Sequence, residues 1–164
     1  MRPAETLFVS IASYRDPELI PTLKDMIANA AHPEALHIAI CWQHDEDISL
    51  FIDAGMMLCQ SYIHNNNNTF VFEYQSARIT ILSIHYYHSQ GACWARHKAE
   101  QFYNDETWFL QIDSHCRFIH HWDSEAIAMM KSLQKRCPKP VLSTYPPSYN
   151  PADEANRSAF ISRL

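Results

Sequence analysis

Apolar and polar positions along this chain fall into short blocks whose periodicity keeps switching. Leu7-Phe8-Val9-Ser10-Ile11-Ala12 is an apolar run of strand length, closed by Ser13-Tyr14-Arg15. Asp16-Pro17-Glu18 then signals a helix start, since aspartate caps, proline suits the first helical position and glutamate favours the positive end of the dipole. Leu19, Ile20, Leu23, Met26, Ile27 and Ala30 follow on one helical stripe, which His32-Pro33 ends. Leu36 to Trp42 predicts a second strand, with Gln43-His44-Asp45-Glu46-Asp47 as the polar loop after it. Ile48 to Cys59 predicts a second helix, weakened by Gly55. His64 to Asn68 reads as a polar loop of low complexity, Phe70 to Tyr74 as a short edge strand, and Ile79 to Ile84 as a core strand rich in β-branched residues. Gln90-Gly91 turns the chain into a helix over 92–103. Thr107 to Ile112 predicts a strand running directly into Asp113-Ser114-His115. Asp123 or Ser124 caps a helix to about Arg136, and Pro140 to Tyr145 predicts a last strand.

Strands alternating with helices predict an α/β fold with a mostly parallel sheet and flanking helices. Ligands of such sheets bind at the carboxyl ends of the strands, an edge that here carries Ser13-Tyr14-Arg15, Gln43 and Asp113-Ser114-His115. At 164 residues the whole chain, 1–164, is expected to form one domain. It shows no internal repeat, and its last residues give no obvious stopping point, so a C-terminally incomplete fragment is expected.

Charge narrows the partners. The formal net charge of -5 argues against a broad grip on nucleic acid or on an anionic membrane. A phosphate ligand would then need a local device: a metal, an arginine or a helix N-terminus. Five cysteines, an odd number with no Cys-x-x-Cys pair, read as reduced thiols. No segment approaches the ~20 apolar residues of a membrane span, and the first apolar run is too short for a signal peptide. The expected location is the cytoplasm.

The segment with most chemistry is Phe109-Leu110-Gln111-Ile112-Asp113-Ser114-His115. Residues two apart in an extended segment project to the same side, so Asp113 and His115 can face one ion while Ser114 faces away. A carboxylate with an imidazole suits Mn²⁺ or another divalent cation, leaving positions for ligand oxygens. By spacing alone, however, Asp-x-His is common, and a plain strand-end turn explains it better.

Context shifts that balance. Ile11-Ala12-Ser13-Tyr14-Arg15-Asp16-Pro17-Glu18, Ala95-Arg96, and Gln111-Ile112-Asp113-Ser114-His115-Cys116-Arg117-Phe118 with Trp122-Asp123 resemble the GlcNAc-transferase family. Its members include a cytoplasmic enzyme that modifies hydroxyproline on a ubiquitin-ligase subunit. Asp113-Ser114-His115 is also similar to the Asp-x-His motif of polypeptide GalNAc-transferases. The resemblance runs in order over roughly residues 7 to 150. It implies a GT-A fold and retaining transfer of a sugar, GlcNAc by the family's name, from a UDP-sugar to a hydroxyl of a protein or glycan acceptor. It further implies Asp113 and His115 as metal ligands, Ser114 near the donor ribose or phosphates, and Ala12, Ser13 and Tyr14 bordering the uridine. Arg96 would reach the donor. Gln43 stands where the GalNAc-transferases place an acidic residue on the base, a departure that leaves its role open. Their third protein ligand, a histidine, lies well beyond the motif. No residue is marked as a catalytic nucleophile.

Plainer readings stand beside these. Arg96 alone reads as a solvated helix residue, Arg15 as a loop cation pairing with Asp16, Asp123 as a helix cap and Tyr14 as a half-buried structural tyrosine. Trp42, Trp94 and Trp108 read as core, and Trp122 as a cleft wall. His85-x-x-His88 and His120-His121 near Cys93 and Cys116 lack standard zinc spacing. A hydrolase using Ser114 or Cys116 beside His115 lacks a Gly-x-Ser-x-Gly elbow, and adjacent strand residues point apart. The alternative functions are a non-catalytic or truncated nucleotide-sugar-binding domain, and an unrelated α/β domain in which Asp113 and His115 are structural.

Overall fold

A computed structural model describes residues 5–144, 149–150 and 152. Two compact units divide the chain, 1–124 and 125–164. The first contains a six-stranded sheet built from β1 (Leu7–Tyr14), β2 (Leu36–His44), β3 (Met57–His64), β4 (Asn67–Tyr74), β5 (Ala77–His85) and β6 (Trp108–Asp113). Their order across the sheet is β3-β4-β5-β2-β1-β6. The β5-β2-β1-β6 half is parallel, and the β3-β4-β5 half is antiparallel. The expected α/β class with flanking helices is therefore observed.

Burial follows the period-two geometry of β1. Val9 and Ile11 face a core shared with Leu23, Met26 and Ile27 of α1 (Leu19–Ala28), together with Ile38 and Ile40 of β2. Phe8 faces the opposite way, into a second core with Ala39, Cys41 and Leu82, closed by Ala95 and Ala99 of a helix over 92–100. A sheet covered on both faces needs apolar residues at nearly every position of its central strands, which is why β1 and β2 read as continuous apolar runs.

Several expectations change. No helix spans 48–59: α2 (Ser49–Asp53) makes little more than one turn, and Gly55, at φ 94°, ends it before β3 begins. β4 is an interior strand, and the edges are β3 and β6. The asparagine run is a tight hairpin turn, with Asn65 and Asn66 at φ 47° and 64° between paired His64 and Asn67. Asparagine tolerates that left-handed geometry, which a two-residue hairpin demands twice. β2 continues through Gln43 and His44, because both side chains are buried rather than solvated.

Helix α1 begins at Leu19, two residues later than Asp16-Pro17 suggested. Asp16 Oδ1 instead accepts the Glu18 N–H at 2.9 Å in the turn before the helix. α3 (Ala92–Glu100) and α4 (Trp122–Gln134) complete the helices. Asp123 is no cap: its buried carboxylate accepts the N–H groups of Ala31 and His32 at 2.7 and 2.9 Å. Trp122 is core, not a cleft wall, with its indole N–H donating to the Met26 carbonyl.

The second unit carries the rest of α4. The N–H groups of Arg136 and Cys137 close that helix on the Leu133 carbonyl. No strand occurs over 140–144, and Tyr145, the end of the expected last strand, lies outside the described residues. Among the described residues no helix is long and apolar enough to cross a membrane.

Candidate functional site

Parallel pairing places Ala12 of β1 directly opposite Asp113, the last residue of β6. The segment after Asp113 is then fastened to α1 along its length. Thr22, fully buried, donates its hydroxyl to the Ser114 carbonyl at 2.9 Å and accepts the Cys116 N–H at 3.0 Å. Asp25 accepts the Phe118 N–H at 2.7 Å, and Glu18 pairs with Arg117 at 2.7 Å. The His121 N–H reaches the Asn29 carbonyl. Polar residues scattered along α1 thus supply the partners that a strand-end segment without secondary structure would otherwise lack.

Asp16 is the central acceptor. Its Oδ2 takes the Ser114 hydroxyl at 2.6 Å and faces His115 Nδ1 at 2.8 Å. Burial pushes the Asp16 carboxyl up, but the hydrogen bonds from Ser114, His115 and the Glu18 N–H outweigh it and hold it below the ordinary value. Asp113 projects outward, and Arg96 of α3 grips its Oδ1 at 3.0 Å. The Asp113 and His115 side chains remain 60% and 61% exposed, so both are open to a ligand from solvent.

The sequence-predicted residues separate into two groups along this edge. Asp113 and Arg96 meet at the end of β6, and His115, two residues on, is held to Asp16. Tyr14 and Gln43 lie opposite each other at the ends of β1 and β2, with buried Ser13 beside them. Gln43 donates its amide to the Ser13 carbonyl at 3.2 Å, while its own Oε1 and the Ser13 hydroxyl are buried without a partner. Ser114 is buried, facing Asp16 rather than the open edge.

Sequence reasoning missed three contributors. Asp16 reads as a cap and instead organises the Asp113-Ser114-His115 segment. Arg15 pairs with Asp45 at 3.6 Å, not with Asp16, and its guanidinium lies 4.5 Å over the ring of Tyr86. Tyr86 in turn meets Tyr14 edge-on and stacks with His85, making an aromatic cluster at the ends of β1 and β5. The Tyr86-Tyr87-His88 run was the available signal, being too aromatic for a simple loop.

What the edge can do follows from its donors. Oδ2 of Asp113 and Nε2 of His115 have no partner among the described residues, and a carboxylate oxygen with an imidazole nitrogen is a donor pair that fits Mn²⁺ or a similar cation. Among the described residues no three His, Cys, Asp or Glu side chains gather around one point, so the pair forms at most an open site. Nucleophilic chemistry finds no support: Ser114 donates to a carboxylate instead of an imidazole, and burial pushes the Cys116 thiol up.

Residues 6–74 and 53–161 match the family described as Glycosyltransferase (GlcNAc), which covers most of the chain. No curated protein and no solved structure matches it at a significant level.

Proposed function

The chain belongs to the GlcNAc glycosyltransferase family, and from that premise we propose that its open strand edge binds a UDP-sugar, by preference UDP-GlcNAc, through a divalent cation. The fold we assign is GT-A, and the reaction is transfer of the sugar, with retention, to a hydroxyl of a protein or glycan. The observation that carries this reading is an exposed carboxylate paired with an arginine at the end of β6, followed two residues on by an exposed imidazole.

When bound, the cation, Mn²⁺ in the first instance, would supply Lewis-acid neutralisation of the diphosphate leaving group. Asp113 and His115 are the residues that would hold it. Arg96 adds a fixed positive charge beside Asp113, where it can meet a phosphate oxygen. Such a local device is what a chain of net charge -5 needs for an anionic ligand. Ala12, Ser13 and Tyr14 border the base. There the exposed Tyr14, with Tyr86 and Arg15, offers stacking surface. Ser114 acts behind the site by fixing the segment, not by touching the phosphates.

Calorimetric titration with UDP-GlcNAc and with GDP-mannose in the presence of Mn²⁺ tests the donor assignment. Binding of the uridine sugar at least tenfold tighter supports it. Equal affinities would remove the uridine preference from the reading.

A further inference from the structure

The contact between Asp16 and His115 joins residues far apart in sequence and exceeds what turn formation requires. Asp16 Oδ1 already satisfies the turn before α1 by accepting the Glu18 N–H. Its second oxygen points the other way, to the Ser114 hydroxyl and to Nδ1 of the His115 ring. An ionised carboxylate can only accept, so a neutral ring facing it at 2.8 Å must carry its proton on Nδ1. The remaining nitrogen, Nε2, then presents its lone pair on the exposed side of the ring. A carboxylate behind a ligating histidine fixes its tautomer and orientation and raises its basicity.

We propose that Asp16 is a positioning residue that holds His115 in the Nδ1–H tautomer, so that Nε2 is the donor offered to a divalent cation beside Asp113. The role in cation binding rests on the donor-site reading above; the tautomer does not. The device is built into the turn that starts α1. It couples the end of β1 to the end of β6, since Asp16 follows β1 and His115 follows β6. Thr22 supports it from the same helix by fixing the backbone on both sides of His115.

Two measurements test this. The first needs no substitution: long-range ¹H–¹⁵N spectra of the cation-free protein at about pH 8.5, above the ordinary imidazole range. His115, assigned by its loss in His115→Ala, is expected to show a protonated Nδ1 and an unprotonated Nε2. The opposite tautomer overturns the proposal. The second measures Mn²⁺ affinity by electron paramagnetic resonance in the presence of UDP. Asp16→Asn should weaken the cation roughly 10- to 100-fold, whereas adding it to His115→Ala should change affinity less than about twofold. Equal weakening in both backgrounds would mean that Asp16 acts through the general fold, and overturns the proposed role. Should the unaltered protein hold no Mn²⁺ with UDP, the donor-site reading falls, and the role in cation binding with it. The tautomer measurement still decides the Asp16–His115 relationship.

Discussion

Thr22 accepts the Cys116 N–H at 3.0 Å and donates to the Ser114 carbonyl at 2.9 Å, so one buried hydroxyl closes the backbone on both sides of His115. The side chain is fully buried, and water cannot replace it there. Thr22→Val keeps the shape but leaves a buried donor and acceptor unmet, at a cost of about 1–3 kcal/mol for each such group. Urea unfolding should therefore give a lower midpoint with an unchanged slope. Weaker Mn²⁺ binding should accompany it, because the backbone carrying His115 is released.

Gly91 introduces α3, the helix that carries Arg96, from φ 93° and ψ 173°. That region is essentially restricted to glycine, and other residues there cost of order 1–3 kcal/mol. An added Cβ would meet nothing within 4 Å, so the penalty of Gly91→Ala is purely conformational. Thermal unfolding should show a loss in that range. A neutral substitution would mean that the turn adjusts without strain.

His44 gives stability a definite pH dependence. Burial holds its ring down to about 4, and Nδ1 accepts the Glu46 N–H, which requires that nitrogen to be unprotonated. In the unfolded chain the ring protonates near the ordinary value of about 6.5. The unfolded state therefore binds the proton first, and stability falls as pH drops from about 6.5 towards about 4. His37, also held low by burial against the pull of Glu106, acts in the same direction. His44→Asn should thus reduce the slope of unfolding free energy over this window without abolishing it. An unchanged slope would contradict the assignment.

The parts of this fold that were legible in the sequence are those in which one face dictates the pattern. β1, β2 and β5 sit between two apolar layers, and the stripe of α1 meets one of them, so hydrophobic spacing located all four. Where long-range pairing decides, local pattern failed. Leu50 and Phe51 continue a helical rhythm towards Leu58, yet Gly55 breaks it and β4 captures the following residues as β3. Gln43 looked like a loop residue because its polarity hid its burial between strands. Asp113, His115 and Arg96 could be named from the resembled motifs, and the fold brings them to one edge. Asp16 could not: its local sequence explains it fully as a turn residue, and only the fold brings Ser114 and His115 to its second oxygen.

In the reading proposed above, Asp113 and His115 hold a cation that in turn holds a nucleoside diphosphate. Calorimetric titration of UDP into the protein and into Asp113→Ala, each with Mn²⁺ and then with EDTA, decides it. The unaltered protein should bind UDP in a way that EDTA abolishes, and the variant, with unchanged circular dichroism, should lose at least tenfold in affinity. UDP binding that survives both EDTA and the substitution would contradict it, as would no binding under any condition.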